Sequence, residues 1–402
     1  SLTINADYAA QERIAISGTM LTDPFGNDPV QGPFGDILQG TATDKFASFQ
    51  DSDSVEDKTV WGASVTLDYE TENDFLLKSI TSHRKTDMNI TIDVDRTPLP
   101  ILNVDYRDIY NQTTQEVQLI SPDTNELKYM LGVYLFDLNS TSIRDGIGGE
   151  SIVVFGDPRL QPGRSAVIVD GKVDTTSYAF YSNASYTLGN KWEIGAGLRY
   201  SSETKDVDWN IDGANSGFFN LAVADVVDER TDTYLSPALN ASYAISPDSQ
   251  AYARFSTGFK SGGYNLDFVS SNVVEAGIEF DKETVTSFEL GYKAELLKNH
   301  LRLNAALFSA SYEDYQVNQY IDLGDGRTAI SITNAAEVKT QGFELEVDFQ
   351  ATSDLTLTGS LGLLDATFDS FPGGGTGGTD ATGNSLPNAP EVTMSVGATY
   401  YH

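Results

Sequence analysis

Chemistry at a protein site needs nucleophiles, bases or metal ligands close together, and this chain of 402 residues has few. It contains no cysteine and three histidines, His83, His300 and His402. Without cysteine there is neither a disulfide framework nor a thiolate metal site. A Ser/His/Asp hydrolase needs an imidazole within hydrogen-bond reach of its nucleophile. His300 falls in a short turn and His83 on an alternating segment, so hydrolysis is not expected. The run Gly258 to Gly263 has the composition of a phosphate loop, but no helical pattern follows it to present an N-terminus to a phosphate. Its glycines are read instead as the bend where strand becomes loop. Asp208, Asn210 and Asp212, followed by Gly213, resemble half of a calcium loop. Position twelve is Phe219 where such a loop requires a bidentate Glu, so calcium is the weaker reading and a solvated acidic loop the stronger. Asp51, Asp53, Glu56 and Asp57 are read as a second charged loop. No catalytic residue, resident metal or cofactor is expected.

What would position any functional residues is a set of strands. The composition includes 20 Tyr, 20 Phe and 35 Gly. Mean hydropathy is -0.26, and no stretch approaches the roughly 18–20 apolar residues of a membrane helix. The pattern repeats every two residues. Trp61, Ala63, Val65, Leu67 and Tyr69 alternate with Gly62, Ser64, Thr66 and Asp68. Trp192, Ile194, Ala196, Leu198 and Tyr200 alternate with Glu193, Gly195, Gly197, Arg199 and Ser201. Phe343, Leu345, Val347 and Phe349 oppose Gly342, Glu344, Glu346 and Asp348, a charged row that would be costly against hydrocarbon. Val392, Met394, Val396, Ala398 and Tyr400 give a further apolar row. Such segments face oil on one side and water on the other. The formal net charge of -33 would repel a polyanion, so nucleic acid is excluded as a partner.

Connection lengths sharpen the fold class. About fourteen strands are expected, with short turns at 70–74, 121–125, 189–190, 246–249, 297–300 and 351–354. The alternate connections, mostly long, fall at 13–58, 93–103, 142–172, 207–230, 261–281, 322–327 and 369–390. Alternating short and long links are the mark of an outer-membrane barrel, whose periplasmic turns are short. The Gly-rich tract at 372–380 is expected to be a flexible outer loop. Ser1 opens directly onto alternation, with no signal-peptide pattern, and Tyr401 and His402 stop in mid-strand. The chain is therefore read as a piece of a longer barrel, and the missing signal says nothing about its compartment.

Several stretches then resemble the barrel of TonB-dependent receptors, especially the iron-complex group. The most specific is Tyr-Ala-Arg-Phe-Ser-Thr-Gly-Phe-Lys-Ser-Gly-Gly-Tyr-Asn at 252–265, similar to that family's Gly-Phe-Lys-Ser-Gly-Gly-Phe-Asn run. It is joined by Glu-Thr-Val-Thr-Ser-Phe-Glu-Leu-Gly-Tyr-Lys at 283–293, Leu-Asn-Ala-Ala-Leu-Phe at 303–308 and the segment 312–317. Asn-Ala-Ala at 334–336 leads to Gly-Phe-Glu-Leu-Glu at 342–346. Gly-Leu-Arg-Tyr at 197–200 with Glu203 and Lys205, and Gln-Glu-Val-Gln-Leu-Ile-Ser-Pro at 115–122, complete the set, which covers roughly residues 59–400 in order.

The resemblance implies a barrel of about twenty-two strands, an N-terminal plug, the TonB complex as energising partner and outer-membrane lipid as solvent. The chain departs from that pattern. It has no plug, no TonB-contacting box near its start and no terminal strand ending in an aromatic residue, and about eight strands would be missing. Arg199, Arg254, Glu289, Lys293, Arg302, Asn304, Glu344 and Glu346 share the polar parity of their strands and are expected to face the lumen, meeting plug or substrate. Arg144, Arg159 and Arg164 are expected in an outer loop, where they could meet an anionic ferric chelate. The expected function is active import of a scarce nutrient, most naturally a ferric siderophore or similar metal chelate, with no bond made or broken. A passive porin-like channel and a secreted β adhesin are the rivals. Upstream sequence lacking a plug would favour the first, and solubility without detergent the second.

Overall fold

The computed structural model describes residues 1–14, 50–95, 99–217, 221–266, 268–269, 274, 277–322, 328–375 and 378–401. The strands are β1 (Leu2–Ile14), β2 (Val55–Glu70), β3 (Leu76–Asp93), β4 (Leu102–Ile120), β5 (Leu127–Gly148), β6 (Ser165–Leu188), β7 (Trp192–Asp212) and β8 (Val223–Ser246). They continue with β9 (Ser249–Lys260), β10 (Gly263–Tyr264), β11 (Glu279–Phe280), β12 (Glu283–Leu296), β13 (Leu301–Asp322), β14 (Thr328–Gln350), β15 (Leu355–Ser370) and β16 (Val392–Tyr400). Fourteen form one antiparallel sheet in chain order, while β10 and β11 make a separate hairpin inside the β9–β12 connection. The architecture is the all-β, antiparallel wall that the alternation implies.

Register carries one apolar row unbroken across neighbouring strands. Phe180 pairs with Tyr200 and Tyr200 with Leu235. Leu239 pairs with Phe255 and Phe255 with Phe288. Leu290 then meets Leu307, which meets Phe343, which meets Leu363 and finally Val392. These side chains turn to the outside: Leu198 is 46% exposed and Phe288 57%. In water such a row would be an unpaid debt; in hydrocarbon it is the solvated face. The belt has aromatic borders. Trp192 packs on Tyr243 at 4.7 Å near one end, and Tyr178 lies 6.4 Å from Tyr200 at the other. Eight residues separate Trp192 from Tyr200. With a rise of about 3.3 Å per residue and a tilt of about 40°, the belt is about 20 Å tall, close to the apolar band of a membrane barrel.

The short connections occur where expected, at residues 71–75, 121–126, 189–191, 247–248, 297–300 and 351–354. Gly189 turns with φ of 60°, a conformation glycine adopts without a Cβ clash. The 297–300 turn uses three successive left-handed residues, Leu297, Lys298 and Asn299.

The connections expected at 261–281 and 369–390 fall close to those bounds, but two others are shorter than the sequence suggests, because the strands continue far past the belt. The link expected at 142–172 is 149–164, and the one expected at 207–230 is 213–222. Most of the 13–58 connection, the 323–327 tip and Phe219 lie outside the described residues. Strand β7 shows why the ends were misread. Through the belt its even positions are apolar and face outward. Beyond it the odd positions Val207, Trp209 and Ile211 are buried, while Asp206, Asp208 and Asp212 are exposed. The apolar side has switched from outside to inside. Where there is no lipid the outer face must be polar, and the inner face can be dry if something covers it.

Three returning connections provide that cover on the inner face. Residues of the β9–β12 connection, including Val269 and Leu266, pack on Val167, Val169, Val207, Trp209 and Ile211. The β5–β6 connection carries a short 3-10 helix (Glu150–Phe155) and buries Ile152 and Leu160 against Ala166. The connection that carries the Gly-rich tract also folds back, through the residues on either side of 372–380. Phe371 and Ala381 are buried with Phe368 and Val338, and the Ala381 N–H donates to the Phe371 carbonyl at 2.9 Å. The apolar flanks anchor this tract, and Gly373 and Gly378, both with positive φ, turn the chain between them.

Candidate functional site: inner wall and mouth

The inner wall holds the polar residues singled out by parity. Arg199 lies over the rings of Tyr134 and Tyr181, at 5.7 and 5.6 Å, and its Nε donates to Ser201 Oγ at 3.0 Å. The Tyr181 hydroxyl donates to Glu116 and accepts from Gln118 Nε2. A second field forms on β9 and β12–β14. Tyr252 donates to Glu289 at 2.7 Å, and Lys293 Nζ sits 5.6 Å from the Tyr252 ring. Asn304 donates to Glu346 at 3.3 Å and Arg302 to Glu295 at 3.4 Å. Arg254 stands opposite Glu289 in register, and Glu344 opposite Ala306. Between the short turns, Lys293, Glu295, Arg302 and Asn304 line a hollow of about 530 Å³ together with Ser246 and Gln250. Neighbouring strands bring Lys293, Arg302, Asn304 and Glu346 together, while Arg199 belongs to a separate field across β4–β7.

The mouth differs from the expectation. Arg144 is not in a loop but on β5, because that strand runs on to Gly148. Its Nη1 donates to Asp108 at 2.8 Å, and the guanidinium covers the Tyr106 ring at 4.8 Å. Arg159 does lie in the connection and grips Asp157 through two bonds of 3.0 and 2.7 Å. That guanidinium holds the Asp157 carboxyl below the usual carboxylate range. Arg164 also lies in the connection, just before β6.

The calcium reading of Asp208, Asn210 and Asp212 fails on geometry. All three sit on β7, and alternate residues of a strand project their ligands about 6.5–7 Å apart along a straight line. A calcium loop must wrap its ligands around one point. Asp51, Asp93 and Asp95 do bring carboxylate oxygens within 4.8 Å of one another; of these, Asp51 belongs to the acidic loop already noted.

Sequence reasoning missed the group that organises the mouth. Arg230, on β8 with an 8% exposed side chain, donates to both oxygens of Asp232 at 3.1 Å and to Glu279 at 3.0 Å. Asp281 lies 3.6 Å away. The Trp209 indole N–H donates to the Leu266 carbonyl at 3.1 Å, tying the covering connection to β7. The available signal was the Asp-Glu-Arg-Thr-Asp run at 228–232, an arginine set among acids where strand was expected to give way to loop.

Comparison with known proteins agrees with this two-faced wall. The family model "TonB dependent receptor-like, beta-barrel" matches residues 7–402. The probable TonB-dependent siderophore receptor PiuA of Acinetobacter baumannii is 25% identical over 237 residues, 58% of this chain and 30% of that protein. The metal-pseudopaline receptor CntO of Pseudomonas aeruginosa is 27% identical over 180 residues, 44% of this chain and 22% of that protein. The crystal structure of the ferric yersiniabactin uptake receptor FyuA from Yersinia pestis superposes with a TM-score of 0.68 at 18% identity, covering 86% of this chain and 48% of that one. The chain thus spans about half the length of that solved receptor. A match along almost the whole sequence, together with a wall that has an oil face and a water face, shows that the chain belongs to the TonB-dependent receptor β-barrel family, whose members are outer-membrane proteins.

Proposed function

We propose that the complete receptor actively imports a scarce nutrient, a ferric siderophore or similar metal chelate, across the outer membrane. The family match over residues 7–402 carries this reading. The relatives support the substrate class, since PiuA is named a siderophore receptor and CntO a metal-pseudopaline receptor. The sheet has two free edges, on β1 and β16, and a sheet in lipid must close to satisfy its backbone. The family resemblance supports a full receptor with about eight further strands and a plug, with TonB acting through that plug.

Transport then follows from differential binding. Ligand seated at the mouth favours one arrangement of plug and wall, and pulling by TonB favours another. The polar fields around Arg199 and around Lys293, Arg302 and Glu346 are the surfaces that meet plug or passing ligand. Arg164 and Arg159 are the cations for an anionic chelate at the mouth, with Arg144 supporting through Tyr106. Asp108 and Asp157 partly neutralise Arg144 and Arg159, which leaves Arg164 as the strongest of the three.

The test is radio-iron uptake by iron-starved cells given a panel of ferric chelates, with and without the receptor gene and with and without TonB. Uptake of one chelate that needs both genes is expected. Uptake that survives loss of TonB would favour a passive channel.

A further inference from the structure

The turn that follows β9, Ser261 to Asn265, is held from four strands. Ser261 Oγ bonds to Glu203 and Lys205 of β7. The Gly262 N–H donates to Asp232 of β8 at 3.0 Å. Gln316 of β13 donates to the Ser261 carbonyl at 2.9 Å. The Asn265 amide donates to the Ile332 carbonyl of β14 at 3.0 Å and accepts the Ile332 N–H at 2.7 Å. At the other end of the excursion, Asn334 accepts the Asp281 N–H at 2.6 Å, and Lys282 donates to the Thr233 carbonyl at 2.9 Å.

One charge sits at the centre of this arrangement. Arg230 spans Asp232 on its own strand and Glu279 and Asp281 on the hairpin side. Asp228 adds a further carboxylate close to Glu279. Without the guanidinium, these acids would face each other across the seam between hairpin and strand. Removing one partner of a shielded ion group costs more than the pair contributed, because the remaining charges are left uncompensated.

We propose that Arg230 is a positioning residue that latches the two ends of the β9–β12 excursion, residues 261–266 and 277–282, onto the inner face of β6–β8, making them a fixed part of the mouth. The β5–β6 connection is held differently, by the Gly149 N–H on the Ile101 carbonyl and the Ser151 N–H on the Pro100 carbonyl, both at 2.8 Å, and by apolar contact of Ile152, Leu160 and Ala166, with no comparable ionic hub among the described residues. This assignment does not depend on which nutrient is carried.

Peptide-resolved hydrogen exchange on the full-length receptor in detergent tests it. In the unaltered receptor, peptides covering 261–266 and 277–282 should exchange slowly. Arg230→Gln should speed exchange in the excursion and in 206–211 beneath it by about tenfold, leaving 285–296 unchanged. Adding Glu279→Gln and Asp281→Asn to that variant should bring exchange back to within about twofold of the original. Exchange in Arg230→Gln equal to the original would overturn the latch, and so would a triple variant as fast as the single, since Arg230 would then act by packing and not by charge. If Arg230→Gln does not assemble, Glu279→Arg sets a second cation against Arg230 at a half-exposed site. Faster exchange confined to the excursion then supports the latch, and unchanged exchange refutes it.

Discussion

A methyl group added at Gly262 would lie 2.3 Å from the Arg230 guanidinium and 2.3 Å from the Phe280 carbonyl oxygen. Gly262→Ala should therefore weaken docking of the hairpin by about 1–3 kcal/mol, as overpacked sites do, and local hydrogen exchange over 261–266 would report it. Trp209→Phe loses the bond to Leu266 and leaves a void where the fully buried indole packed, for a cost of about 2–4 kcal/mol at the same seam. If either variant exchanges at the original rate, the contact carries no load. The glycines of this run were legible from sequence as a bend. Their closer reason was not, because it depends on Arg230 and Phe280, which are distant in the chain. The calcium resemblance failed for a related reason: spacing along the chain says nothing about whether the backbone is straight or wrapped.

At the scale of an element, the hairpin of β10 and β11 couples docking to pH. Burial, then the neighbouring Asp228, push the Glu279 carboxyl above the usual carboxylate range, outweighing the opposing pull of Arg230. A carboxyl with a raised value in the docked state binds its proton more tightly there. Its contribution is present below the ordinary carboxylate pKa and is lost as pH rises through the raised value. Exchange in 277–282, corrected for its intrinsic pH dependence, should rise across that window, and Glu279→Gln should flatten the rise. Strands in the belt obey a different rule. Arginine at Leu198 or Leu345 should impair membrane assembly by about 2–4 kcal/mol near the midplane, whereas Glu346→Arg should be much milder. Folding yield into vesicles measures both, and equal damage would contradict the assigned faces. Gly197 is a poor control although it faces inward, since a Cβ there would meet Asn183 Oδ1 at 2.4 Å. Within the belt the strands and turns could be read from alternation alone. Beyond it the reading broke down, because on β7 the apolar residues move to the opposite face, and a chain scanned for one continuous stripe looks there like loop.

For the whole molecule, import that requires TonB is the expected result, with the full receptor migrating differently on gels before and after heating, as closed barrels do. Irregularities such as the one between Tyr312 and Gln316 on β13 break parity further along, but through the belt, where it holds, the lumenal rows were legible as a set. Which members touch each other was not, because that is fixed by register between strands. The switch of faces on β7 has its own effect on approach. Strand β6 runs for 24 residues, about 80 Å of chain at 3.3 Å per residue, of which the hydrocarbon accounts for roughly half or less. The remainder stands above the lipid as a collar, and the side continuous with the apolar row carries Asp137, Asp174, Asp206 and Asp208 together with Lys172, whose Nζ lies 2.6 Å from Asp174. The acids outnumber that lysine, and their excess negative charge acts over about 8 Å in physiological salt. Any small anion approaching along the cell surface is turned away from this flank toward the top, and copies of the barrel keep a gap between their rims even where their lipid-facing sides touch.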